Sequence, residues 1–182
     1  MGKDAPKNPL PNTPPVAKNK HGKTCGLLLR LCVSLYCTGK IVILDSGFCV
    51  LQAIVELRKK GVYAAAVIKK RRYWPKYIPG VKIDEHMEGR KVGDFDSLAG
   101  TLDDVNYNIF CMKEEDYTMK IMSTYGGLVE PDRDRKIARR QLTDNTRMEF
   151  KYMEPFANHF DYRHAVDDSN NLRHNKPSFE ET

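Results

Sequence analysis

The stretch KIVILDSGFC, residues 40–49, decides the fold. Ile41, Val42, Ile43 and Leu44 form an unbroken, mostly β-branched apolar run, which predicts a strand buried on both faces. The run ends on the carboxylate of Asp45, Ser46-Gly47 breaks the pattern, and from Phe48 the spacing turns helical. A strand that delivers an Asp at its carboxyl end, followed by a turn and a helix, is how α/β folds present a catalytic or metal-binding group. The same carboxylate can also serve only to cap the helix that follows. The stretch by itself leaves both readings open.

Working outward, residues 48–60 (FCVLQAIVELRKK) place Val50, Leu51, Ile54, Val55 and Leu57 on one broad apolar stripe. Arg58, Lys59 and Lys60 then precede Gly61, a basic last turn followed by a residue suited to the left-handed cap position. Residues 62–68 (VYAAAVI) read as a second buried strand, so strand, helix and strand make a βαβ unit with parallel strands. That strand runs into KKRRYWPK, residues 69–76, where Lys69, Lys70, Arg71, Arg72 and Lys76 surround Tyr73 and Trp74, the one tryptophan of the chain. Because the strands are parallel, this cluster is expected at the same sheet edge as Asp45. Cations beside aromatics suit a phosphate backbone with an unstacked base or strand end nearby. A solvated charge run is the plainer reading.

Upstream, residues 24–36 (TCGLLLRLCVSLY) put Leu27, Leu28, Leu31, Cys32 and Leu35 on one helical face, the pattern of a core-packing helix. Residues 1–23 hold five prolines and five lysines with almost no large apolar group, which predicts a flexible arm. Downstream, YNIFCM (107–112) and YTMKIMSTY (117–125) read as strands joined by a hairpin through KEED, and Gly126-Gly127 ends the second. Asp94 and Asp96 sit among glycines and read as loop carboxylates; residues 131–147 read as an exposed hairpin or loose loop. The whole of 77–150 is expected to be a mainly antiparallel insertion on the α/β core. After Pro155, the residues Phe156, His159, Phe160 and Val166 share one side of a helix that then runs into Asp167, Asp168 and Asn170.

Composition bounds these readings. The 182 residues, 41% hydrophobic and 30% charged, suit one soluble domain with a real core. No apolar run approaches the roughly 18 residues of a membrane span, and no signal peptide is visible near the N-terminus. Gly2 does not open a myristoylation signal, because Pro6 stands where Ser or Thr is needed. The formal charge of +6 favours an acidic partner, nucleic acid above all. The five cysteines, at 25, 32, 37, 49 and 111, show no CxxC spacing and are an odd number, so reduced, packing thiols are expected rather than a disulfide framework, zinc or redox chemistry. No GxGxxG follows the first strand, which sets aside a dinucleotide site, and Gly47 stands where a phosphatase of the dehalogenase type needs a second Asp.

Several long blocks carry a family likeness: GKTCGLLLRL (22–31), TGKIVILDSGFCVLQAIVELRKKGVYAAAVIKKRRYWPK (38–76), KVGDFDSLAG (91–100), MKEEDYTMKIMSTYGGL (112–128) and HFDYRHAVDDSNNLRH (159–174). In this order they resemble the transposase domain of piggyBac transposable-element-derived proteins, over residues 22–182. The resemblance implies a ribonuclease H-like core with three catalytic aspartates, Mg²⁺ as cofactor, DNA as substrate and partner, a nuclear location and a homodimer. Paired metal ions in such a site activate the attacking oxygen and stabilise the leaving one, and carboxylates suit hard Mg²⁺. The family's second aspartate corresponds to Asp45 and its third to Asp167, with Asp168 the neighbour if the register shifts by one; both are implied as catalytic residues and metal ligands. Lys69, Lys70, Arg71, Arg72, Trp74 and Lys76 are the candidate DNA contacts, on the reading of the basic and aromatic cluster and its expected place beside Asp45.

Two departures shape the expectation. The family's first aspartate lies on a strand upstream of residue 24, where this chain has its Pro/Lys arm, and Asp4 in that arm is no substitute. The family also continues beyond the helix that carries its third aspartate, in many members to a cysteine-rich zinc module. The expected architecture is therefore a partial ribonuclease H-like α/β core, a βαβ unit with flanking helices plus the antiparallel insertion, truncated at both ends. Its strand at 41–45 is expected to lack a neighbour on one side. The expected function is a transposase-derived domain, ancestrally cutting and transferring DNA strands and inactive alone; the alternative is a non-catalytic DNA-binding or interaction module.

Overall fold

Residues Ile41–Leu44 form strand β1, and its partner is the strand the sequence assigns to it. In the computed structural model, which describes residues 22–69, 80–126, 137–151 and 153–162, β1 pairs in parallel with β2 (Tyr63–Val67), with Leu44 beside Ala66. Helix α2 (Leu51–Lys59) makes the crossover and buries Leu51, Ala53, Ile54, Val55 and Leu57. Each large side chain so buried contributes about 1.5–3 kcal/mol. Gly61 ends the crossover at φ +73°, and a Cβ there would stand 3.0 Å from the Cα of Cys37. The turn between α2 and β2 therefore needs glycine for its conformation and for its close fit to the loop before β1.

The remaining strands extend the same sheet. β3 (Phe95–Leu102), β4 (Val105–Lys113) and β5 (Thr118–Ser123) form an antiparallel meander, and β5 pairs antiparallel with β2. The order is β1-β2-β5-β4-β3, with β1 at one edge. The antiparallel strands expected within 77–150 are thus present, and these three lengthen the sheet of the βαβ unit. The described chain is a mixed α/β fold, a partial ribonuclease H-like core.

Two apolar layers hold it together. On one face, Val42, Leu44, Ala64, Ala66, Ile109, Cys111 and Met122 pack with Cys25 and Leu28 of α1 (Lys23–Leu31), with Ile54 and Leu57 of α2, and with Ile83 and Met87 of α3 (Gly80–Met87). On the other, Ile43, Ala65, Val67, Phe110, Met112 and Ile121 meet Phe156, Ala157 and Phe160 of α4 (Glu154–Tyr162). A hairpin of β6 (Ile137–Gln141) and β7 (Arg147–Lys151) fits the hairpin reading of that region. It is tied to the sheet by Arg140, whose guanidinium lies 4.8 Å from the Phe160 ring centroid and 3.7 Å from Glu114. No helix among the described residues is long and apolar enough to cross a membrane.

Two local expectations are corrected. Helix α1 ends at Leu31, earlier than its periodicity suggests, and a 3₁₀ turn follows at Val33–Leu35. Its buried stripe is Cys25, Leu28 and Cys32, while Leu27 and Leu31 are 42% and 63% exposed. A helix on the outside of the stack, packed mainly on α2, covers only a narrow stripe, and a leucine on its shoulder stays in solvent. Asp96 lies within β3 rather than in a loop. Pairing along the full length of β4 overrides the glycines that flank it.

Candidate metal and nucleic-acid edge

Asp45 leaves β1 in an extended conformation and caps the one-turn 3₁₀ segment Ser46–Phe48. Its Oδ2 accepts the Gly47 N–H at 3.3 Å and its Oδ1 accepts the Ser46 hydroxyl at 3.4 Å. The cap reading is therefore realised, but it does not use up the group. Both bonds are long, the carboxylate is exposed, and a carboxylate has about four lone-pair sites. Burial pushes its pKa up, yet the N–H groups of Gly47 and Ser46, the charge of Lys69 and the Ser46 hydroxyl together outweigh that and hold it below the ordinary value. The group is ionised at neutral pH.

Lys69 stands just past the end of β2, and the parallel register brings it out at the same sheet edge as Asp45. The two are close enough for the ammonium to stabilise the carboxylate. Beneath the turn, the thiol of Cys49 donates to the Ala66 carbonyl across 3.9 Å. Burial raises that thiol to about 12, so it anchors the turn and is no nucleophile at neutral pH.

Of the residues singled out from the sequence, Asp45 and Lys69 are thus brought together. Lys70, Arg71, Arg72, Trp74, Lys76 and Asp167 lie outside the described residues. Helix α4, which precedes Asp167 in the chain, packs against β1 and β5. An exposed, ionised carboxylate with two long hydrogen bonds is the hard oxygen donor that Mg²⁺ prefers, so Asp45 fits as one ligand. No three His, Cys, Asp or Glu side chains among the described residues gather into a set that could hold a metal ion.

A cluster that sequence reasoning passed over lies at the far edge strand of the sheet, β3. Nε2 of His86 is 2.8 Å from Oδ2 of Asp96, and a guanidinium nitrogen of Arg90 is 3.5 Å from the same oxygen. The hydrogen bond from His86 lowers the Asp96 pKa most; burial opposes it, and the Ser97 N–H, Arg90 and the charge of His86 add to it. The cluster ties α3 to β3. Its visible signal was the closeness in sequence of His86, Arg90 and Asp96, with Arg90 lying just past the end of α3.

These features place an ionised Asp and a lysine together at the carboxyl edge of an α/β sheet. No curated protein and no solved structure matches the chain. A family profile described as Transposase IS4 does match, over residues 5–181. That match covers nearly the whole chain and implies interaction with DNA in transposition. The chain belongs to the IS4 transposase family.

Proposed function

We propose that this chain is a piggyBac-type transposase domain whose DNA-facing edge is the carboxyl end of β1 and β2. The observation that carries the reading is that the parallel register brings an ionised Asp45 and Lys69 out at the same sheet edge, in a chain matched to transposases over residues 5–181. Asp45 and Asp167 are the proposed Mg²⁺ ligands, and residues 69–76 the proposed contact to the phosphate backbone. Bound metal would supply electrostatic stabilisation to a phosphodiester. The chain's own part is to hold Asp45 ionised through the Gly47 and Ser46 N–H groups and to set Lys69 beside it.

The sequence contains two of the three aspartates that the family likeness implies. The 182-residue chain acting alone is therefore proposed to bind DNA without cutting it, as a DNA-binding module derived from a transposase. A nuclear location and a homodimer are proposed on the same likeness.

Fluorescence anisotropy on labelled duplex DNA, with a Mg²⁺ nicking assay on the same duplex, tests this. The expected result is binding that weakens steeply with salt, weakens further in Lys69→Gln, and is accompanied by no nicking. Absence of duplex binding at low salt overturns the DNA-edge reading. Mg²⁺-dependent nicking abolished by Asp45→Ala overturns the inactivity.

A further inference from the structure

We infer that the opposite end of the sheet, where β1 begins, is a second phosphate-binding surface formed by Lys40, Arg58 and Lys60. The inference rests on the DNA-binding reading above and extends it to Lys40 and to Arg58 and Lys60, the latter two assigned by the sequence only to a helix terminus.

The backbone makes one ridge of these residues. The N–H of Cys37 donates to the Lys60 carbonyl at 2.8 Å, that of Gly39 to Gly61 at 2.9 Å, and that of Tyr63 to Lys40 at 2.9 Å. The loop before β1 is thereby stapled to the turn after α2, and the close approach of Gly61 to the backbone of Cys37 leaves no room between them. Lys40 and Lys60 are exposed on this ridge.

Two of the three cations lie against aromatic faces. The Arg58 guanidinium carbon is 4.3 Å from the Tyr63 ring centroid, and Lys60 Nζ is 6.0 Å from that of Tyr36. Tyr36 is held in turn by its hydroxyl, which donates to the Leu29 carbonyl at 2.8 Å. An aromatic face under a cation fixes the position of the charge without neutralising it. Among the described residues, no carboxylate forms an ion pair with Lys40, Arg58 or Lys60. The acidic groups nearby in the chain and fold are otherwise engaged: Glu56 takes Lys59 at 2.9 Å, and Asp103 takes Lys59 and Gln52, both at 3.1 Å.

Cations with no carboxylate partner, two of them held against tyrosines, are what a phosphodiester backbone meets on a protein that positions DNA without reading its sequence. Lys40 and Asp45 stand at opposite ends of β1, roughly 16 Å apart at about 3.3 Å per residue. That is about half of the roughly 34 Å turn of a duplex, so one duplex lying along β1 is touched at both ends of the strand.

The test measures the salt dependence of duplex binding by the full chain between about 50 and 200 mM salt. Lys40→Gln/Lys60→Gln is compared with Lys82→Gln/Lys91→Gln, which removes the same charge from exposed positions elsewhere; thermal melts check that both fold. The expected result is a slope smaller by about 2, at about 0.9 per phosphate contact, for the first pair alone. An unchanged slope in Lys40→Gln/Lys60→Gln, or an equal change in both pairs, overturns this surface while leaving the Lys69 edge intact. Failure of the unmodified chain to bind duplex overturns both.

Discussion

Gly100 of β3 and Tyr107 of β4 face each other across the sheet, and the phenol ring of Tyr107 occupies the space where a side chain at position 100 would stand. A Cβ on Gly100 would be 2.5 Å from Cζ and Oη of the ring. Tyr107 is only 1% exposed, so the ring has no free direction in which to yield. Gly100→Ala is expected to cost about 1–3 kcal/mol by overpacking. For a chain of this size that lowers Tm by about 2–4 °C per kcal/mol. The loss should be much smaller in a Tyr107→Leu background, because the two positions share one contact. Additive losses in the double variant would contradict the assignment.

Thr124 carries a second cross-strand dependence. Its hydroxyl accepts the Ala64 N–H at 3.1 Å and donates to the Ala64 carbonyl at 3.5 Å, and the residue is only 8% exposed. Thr124→Val keeps the shape but leaves the buried N–H of Ala64 without that acceptor, at an expected cost of about 1–3 kcal/mol. Thr124→Ser keeps the hydroxyl and should cost less. Urea unfolding measures both, and amide exchange at Ala64 should speed up in the valine variant only.

The depressed pKa of Asp45 gives stability a definite pH dependence. A carboxyl held below its ordinary value of 3.8 binds its proton more weakly when folded than when unfolded. Its contribution is therefore complete above that ordinary value and is lost as pH falls through it and through the lower folded value. Asp96 and Asp144 are shifted in the same direction. Asp45→Asn keeps a capping side chain and removes one of the three titrations. The urea midpoint of the variant should fall less steeply than that of the unmodified chain as pH drops below about 4. Parallel acid limbs would show that Asp45 contributes nothing to them.

The parts legible in the sequence are those set by neighbouring residues. The run Ile41–Leu44, the stripe from Leu51 to Leu57 and the basic turn before Gly61 gave β1, α2 and the parallel pairing with β2, because each signal is local. All five cysteines are free; four are buried, and Cys37, expected to pack, is exposed. Sheet order was not legible. Nothing near Ala65 announces that its partner on the far side is Ser123, since that choice depends on how whole surfaces fit. Asp96 was misplaced for the same reason: its strand exists by virtue of β4. At the candidate site, the coincidence of Asp45 and Lys69 followed from parallel strands, whereas the electrostatic balance on Asp45 depends on the turn geometry of Ser46 and Gly47.

The pairing of Ala65 with Ser123 also sets a timetable for folding. The βαβ unit leaves the ribosome well before β5 has been made, so β2 waits with its inner edge open. At about 5–20 residues per second the delay is several seconds, far longer than the microseconds in which a hairpin closes. During that interval the open edge, rich in alanine and free of charge from Ala64 to Val67, is a template for any other strand nearby. Yield on expression should therefore follow chaperone supply more closely than it follows the equilibrium stability of the finished sheet.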